Sequence, residues 1–400
     1  MPNSAPPAAC PDVAVARFKE LLIIDPSVVG DSRADNGAVD RPWSFRARME
    51  DLSGDAVAAG PLVDAWLEQW QSLQEVPASA DPGAAQIAIT PRTGVDEALR
   101  CAWLQRSPAN GCADGCASCR TRQLDMAVAP FRLLAIVNRT DLATGGACGN
   151  DGGQLRFVYG AAASDGSSSL PLTVIFEYQI ALHDDESLRA WAAAWHDLGA
   201  AELGPSFAAR LATVVSRGLE RATLNRVLTN EVAFGQGDGL PWELRQFVPA
   251  QTDAGVVRLV EVATAQTPRL TLEAAPELGS WLDDNAASVL GGDNLLDARF
   301  LAASAPMPTP GFAWQTLARD PAVNAAFNHN TCNGCHGGRA ADDVPFQHIA
   351  PSATVASGYY AASAGPARLS KYLDNPGHDD ELGRRESALA TLICGRCGGY

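Results

Sequence analysis

The chain has 400 residues, 46% hydrophobic and 19% charged, with a net charge of −16. This is a globular composition, long for one domain and comfortable for two. The acidic balance argues against nucleic acid or anionic lipid as partners, and no run reaches the roughly 18 apolar residues of a transmembrane span.

In chain order, residues 1–12 (MPNSAPPAACPD) are a Pro/Ala-rich flexible lead-in. They lack the basic and apolar parts of a signal peptide, so the numbered chain is either cytosolic or a mature form whose leader was removed. Helical spacing marks 61–76, with Pro61 near the start, and 95–106. A cysteine-rich loop, SPANGCADGCASCRTR, fills 107–122. Strand-like runs follow at 131–138, 154–160 and 171–181, then helical patterns at 186–199 and 206–222. Three further strands return within 226–263, and a helix is expected over 272–290. Strands in runs and helices in runs predict an α+β fold. A large mixed strand/helix domain over 13–302 is expected, with a Pro-rich linker at 303–311 and a small helical segment over 312–400.

The segment FNHNTCNGCHGGR holds Cys332, Cys335 and His336 as C-x-x-C-H, the pattern of covalent c-type haem attachment. Two thiols at that spacing reach the two vinyl groups on one porphyrin edge, and the next histidine swings beneath the iron. Composition alone would produce the pattern about 0.004 times in such a chain. Two other readings stay open. Cys332 and Cys335 with Cys394 and Cys397 have the arithmetic of a four-cysteine zinc site. Alternatively, both pairs are disulfides, with Cys394 and Cys397 tying down the chain end after a last helix, ELGRRESALATLI.

Residues 320–400 thus resemble the c-type cytochromes. The resemblance implies one covalent haem c, with Cys332 and Cys335 as thioether cysteines and His336 as proximal iron ligand. No methionine follows the motif, so the sixth ligand is expected to be His348, with His378 or an open position as alternatives. Two histidines would give a lower potential than His/Met ligation. The whole chain also resembles large exported bacterial proteins of unassigned function with one C-x-x-C-H near the C-terminus. WSFRARMEDL, FRLLAIVNRTDLA, QLRFVYG, TVIFEYQ, PWELRQF, NTCNGCHGG and FQHIAP carry that resemblance, which implies export and favours His348.

Other constellations are weaker. Cys112, Cys116 and Cys119 have the C-x3-C-x2-C spacing of radical SAM iron–sulfur sites, but Ser118 replaces the usual aromatic and no βα run is apparent; a disulfide-tied loop, with Cys101 or Cys148, is expected. Asp141, Asn150 and Asp151 offer oxygens to calcium but read better as an ordinary surface loop. Trp191, Trp195 and His196 read as a helical core stripe, and HDDE at 183–186 as a helix start.

Ten cysteines, an even count clustered in glycine-rich loops, favour an oxidising compartment: periplasmic, outer-membrane-associated or extracellular. The expected function is electron transfer or haem-linked redox sensing with an unidentified redox partner protein. The alternatives are a peroxidase-like haem enzyme with an open iron site, or a non-redox secreted binding protein with a zinc- or disulfide-stabilised tail.

Overall fold

The computed structural model describes residues 13–79, 84–143, 151–163, 168–232, 242–292, 296–309, 311–338, 347–351, 355–356, 359–361, 367–374 and 381–394. The architecture is α+β. The strands are β1 (Leu22–Ile23), β2 (Gln74–Pro77), β3 (Gln86–Ile89), β4 (Phe131–Arg139), β5 (Gln154–Ala162), β6 (Ser168–Ile180), β7 (Ala222–Val232), β8 (Trp242–Gln251), β9 (Val257–Val262), β10 (Ala305–Met307), β11 (Ile349–Ala350), β12 (Val355–Ala356), β13 (Tyr359–Ala361) and β14 (Arg368–Leu369).

β4 to β9 form one antiparallel meander, each strand pairing with the next. β1 lies beside β4, β9 and β10 share the outer edge of β8, and β13 joins the start of β6. The strands are rich in β-branched and aromatic residues, which suit a pleated surface buried on both sides.

The first face of the sheet buries Phe131, Phe157, Tyr159, Phe176 and Phe247. Helices Phe45–Ser53, Ala56–Glu68, Asp185–Gly199 and Pro205–Leu219 cover it with Trp66, Trp191, Trp195 and Phe207. The Trp191/Trp195 stripe is therefore core, as expected, and His196 on the same helix bonds Glu20 at 2.9 Å. Asp184 caps that helix by accepting from Ser187 N. The second face presents Ala135, Val137 and Val158 to Leu382, Leu389 and Leu392 of the last helix, Glu381–Ile393.

Several boundaries differ from the sequence expectations. The helix expected over 61–76 runs Ala56–Glu68, because the Asp55 carboxylate caps Val57 N; Pro61 falls inside it. The helix expected over 272–290 is two helices, Pro276–Asp284 and Ala286–Gly291. Asn285 divides them, its side-chain amide donating to Trp281 O at 2.8 Å. The stretch 303–311, expected as a linker, contains β10, and Pro306 fits there because an edge strand tolerates proline's missing N–H. The tail is not a separate body: Trp314 and Phe327 share a core cluster with Trp242 and Leu244 of β8. Arg17, near the start, reaches Glu386 of the last helix at 2.9 Å.

The cysteine-rich loop is closed by disulfides Cys101–Cys116 and Cys112–Cys119, so these thiols are not iron–sulfur ligands. Asp141 is held by Arg139 at 2.8 Å, and Asp151 accepts from Gly153 N; Asn150 lies outside the described residues.

Candidate haem site

The C-x-x-C-H motif forms a short helix, Cys332–Gly338, directly after helix Pro321–Asn330. Asn333, fully buried between the two cysteines, fixes it: its Oδ1 accepts from Trp314 Nε1 at 2.9 Å, and its Nδ2 donates to Pro306 O at 3.2 Å. The motif helix is thus pinned to the edge strand β10. Close approach explains two glycines. A Cβ on Gly334 would lie 2.6 Å from Asn328 O, and one on Gly337 would lie 2.6 Å from Phe312 O.

The helix faces the second side of the sheet across a cavity of about 250 Å³. Cys332, Cys335, His336 and His348 all line it. Cys332 and Cys335 are thiols, and burial pushes the Cys332 thiol above its usual range. His348 precedes β11, and its ring lies 4.1 Å from that of His336 between centroids. The Tyr372 ring stands 4.7 Å from it. His348 Nδ1 is 2.9 Å from Ser370 Oγ, while Nε2 lies 3.5 Å from Cys335 Sγ. A proton donated from Nδ1 to Ser370 leaves Nε2 as the ligating atom, the usual orienting arrangement around a metal-binding histidine. Burial, and then His336, push the His348 imidazole well below its ordinary value, so it is neutral and fit to ligate. His378 lies outside the described residues.

Strand register builds the cavity floor. Val158, Ile175 and Leu228 are successive cross-strand neighbours on β5, β6 and β7 and form an apolar row. Two residues along lies the row Val137, Arg156, Glu177 and Arg226. Arg139 follows Val137 by two positions and lines the cavity with Arg156. From the last helix come Glu381 and Arg385. Glu381 pairs with Arg139 at 2.9 Å, with Arg385 at 3.2 Å and with Arg384. Although burial pushes its carboxyl upward, these three arginines hold it well below the usual carboxylate range. Tyr372 OH donates to Glu381 at 3.1 Å, and burial raises the phenol.

The donor set fits haem c. Two thiols and a histidine sit on one short helix, a second histidine meets the first from another segment, and an apolar floor lies opposite. Zinc is the other reading of these donors, with Cys397 outside the described residues. The 3.5 Å between Cys335 Sγ and His348 Nε2 matches the edge of a zinc tetrahedron, roughly 2.3 Å to sulfur and 2.0 Å to nitrogen. Among the described residues, however, no three His, Cys, Asp or Glu side chains converge to hold an ion, and Cys394 is already disulfide-bonded.

Cys332, Cys335, His336 and His348 line this one cavity. Sequence reasoning missed Asn333, Ser370, Tyr372 and the arginine wall. Arg156 was accessible in principle, since strict alternation in QLRFVYG puts it on the same face as Val158. No family model, no curated protein and no solved structure matches the chain.

Proposed function

We propose that this is an exported, single-haem c-type cytochrome-like protein acting in electron transfer or haem-linked redox sensing, with a redox partner protein. The observation that carries this reading is the meeting of Cys332, Cys335, His336 and His348 on one cavity wall. When bound, the haem would supply reversible one-electron chemistry. Cys332 and Cys335 would hold it, His336 and His348 would ligate it, Ser370 orients His348, and the Val158–Ile175–Leu228 row would exclude water. The rings of His336 and His348, 4.1 Å apart between centroids, would have to part to hold the haem between them. Two disulfides in the 101–119 region support an oxidising compartment, periplasmic, outer-membrane-associated or extracellular. Among the described residues no helix is long and apolar enough to cross a membrane.

The test is expression in an export-competent host able to mature c-type cytochromes, followed by a haem stain of denatured protein and an absorption spectrum. Haem retained after denaturation and a low-spin spectrum are expected; no retained haem sinks the proposal. Replacing His348 with Ala should convert the iron to high-spin and open it to cyanide. A wild-type spectrum already high-spin would move the peroxidase-like reading ahead.

A further inference from the structure

Among the described residues, three arginines, Arg139, Arg156 and Arg385, and one carboxylate, Glu381, line the cavity. The carboxylates near them are oversubscribed. Glu177 serves Arg156 at 2.9 Å and Arg226 at 2.7 Å. Glu381 serves Arg139, Arg384 and Arg385. Asp141 pairs with Arg139 at 2.8 Å, and its charge also acts on Arg385. Burial pulls the Arg156 guanidinium down to about 10; Glu177 opposes this, and Arg139, Arg385 and Arg226 add to it. Among the described residues five arginines, Arg139, Arg156, Arg226, Arg384 and Arg385, thus share three carboxylates. Although burial pulls Arg139 down, Asp141 and Glu381 raise it, so the surplus positive charge falls on Arg156 and Arg385, in a partly enclosed, low-dielectric space where its attraction for an anion is poorly screened. The placement is directional. The apolar row lies two residues from the Arg156 row along the strands, so the floor changes from greasy to cationic over roughly 7 Å.

We propose that Arg139, Arg156 and Arg385 form a carboxylate-binding site completing the cavity from the sheet side. It takes the anionic edge of a flat, largely apolar ligand whose body lies over Val158, Ile175 and Leu228. This rests on the haem reading, under which the two propionates are the occupants. A free dicarboxylate or phosphate has the same chemistry and is the other source. Guanidinium forks suit this role because they donate paired N–H bonds to carboxylate oxygens. The consequence is that the large domain is part of the haem site, not merely attached to it.

Arg156 is the position to change, because Arg226 still holds Glu177 when it is lost. Wild type, Arg156→Gln and Arg156→Lys are prepared in the maturation-competent host, and cooperative thermal unfolding verifies that each folds. The haem stain reports the haem reading by itself. Resonance Raman spectra of the haem-loaded proteins then report the propionate bending bands. Arg156→Gln should shift a band to lower frequency as a charge-assisted hydrogen bond is lost, with Arg156→Lys intermediate. Attached haem with unchanged bending bands in Arg156→Gln overturns the site while leaving the haem reading intact. If wild type holds no haem, inorganic phosphate and succinate become the probes. Thermal stabilisation of wild type that Arg156→Gln loses keeps the anion site with a free occupant, and no stabilisation overturns it. Should Arg156→Gln fail to fold, the same bands are read in Arg156→Lys, where no shift overturns the proposal.

Discussion

Both faces of the central sheet bury arginines, but in opposite balance. On the first face, Arg245 is fully buried and meets Glu231 at 2.7 Å, with Glu243 and Glu261 at 3.7 and 3.6 Å. Arg92 adds a second bond to Glu243, Trp70 Nε1 donates to Glu231 at 2.7 Å, and the Arg245 guanidinium lies over the Trp70 ring. Here the carboxylates outnumber the arginines inside a packed core. On the second face, the described residues of the cavity wall include three arginines and one glutamate. A closed cluster with excess acid can relieve its charge by holding a proton, and burial pushes the Glu261 carboxyl up to about 8 against the pull of Arg245. Arginine cannot shed its proton so readily, so excess guanidinium is relieved by an added anion. The first face closes its charge inside the core, whereas the second carries its guanidinium groups at a cavity wall.

The largest effect that would expose this difference is expected from Arg245→Met. It removes the nearest charge partner of buried Glu231, leaving Trp70 Nε1, Thr229 Oγ1 and Arg92 at 3.8 Å, and should cost about 3–5 kcal/mol by urea unfolding; a loss below about 1 kcal/mol would show that the cluster is not the cohesive element described. Next comes the covering layer of the same face. Removing the Cys101–Cys116 disulfide as a double serine variant frees a 15-residue separation and should lower stability by about 3 kcal/mol, read as a lower unfolding midpoint. The third effect is a pH dependence. Glu261 has a folded value near 8 against an ordinary 4.5, so the folded chain keeps a proton that the unfolded chain releases. Stability should therefore be full below about pH 4.5 and fall as pH rises toward 8. Glu261→Gln should flatten that fall and gain about 1–3 kcal/mol over wild type at pH 8; parallel profiles for the two proteins would refute it. The smallest change in stability is expected from Arg156→Gln on the second face, about 1 kcal/mol or less, because Arg226 retains Glu177. A loss as large as that of Arg245→Met would make the two faces equivalent.

By itself, the sequence determined the α+β class, the strands of the meander and the disulfide-tied loop, and it marked Cys332, Cys335 and His336 as a C-x-x-C-H motif. These follow from local signals: alternation with period two, cysteine spacing, and a histidine directly after the second thiol. Local signals misplaced 303–311, where composition reads as linker but pairing with β8 makes an edge strand. They also missed the break at Asn285, since its amide competes with the backbone only in that geometry. His348 could be nominated from sequence, yet its meeting with His336 and Ser370 depends on where segments 347–351 and 367–374 fold back. The arginine wall shows the limit most clearly. Alternation tells that Arg156 and Val158 share a face. Only the register across β4 to β7 sets Arg156 beside Val137 and Glu177, and only the docking of the last helix brings Arg385 to the same cavity. Periodicity is written within each strand, whereas register and helix docking are decided by contacts between residues far apart in the chain.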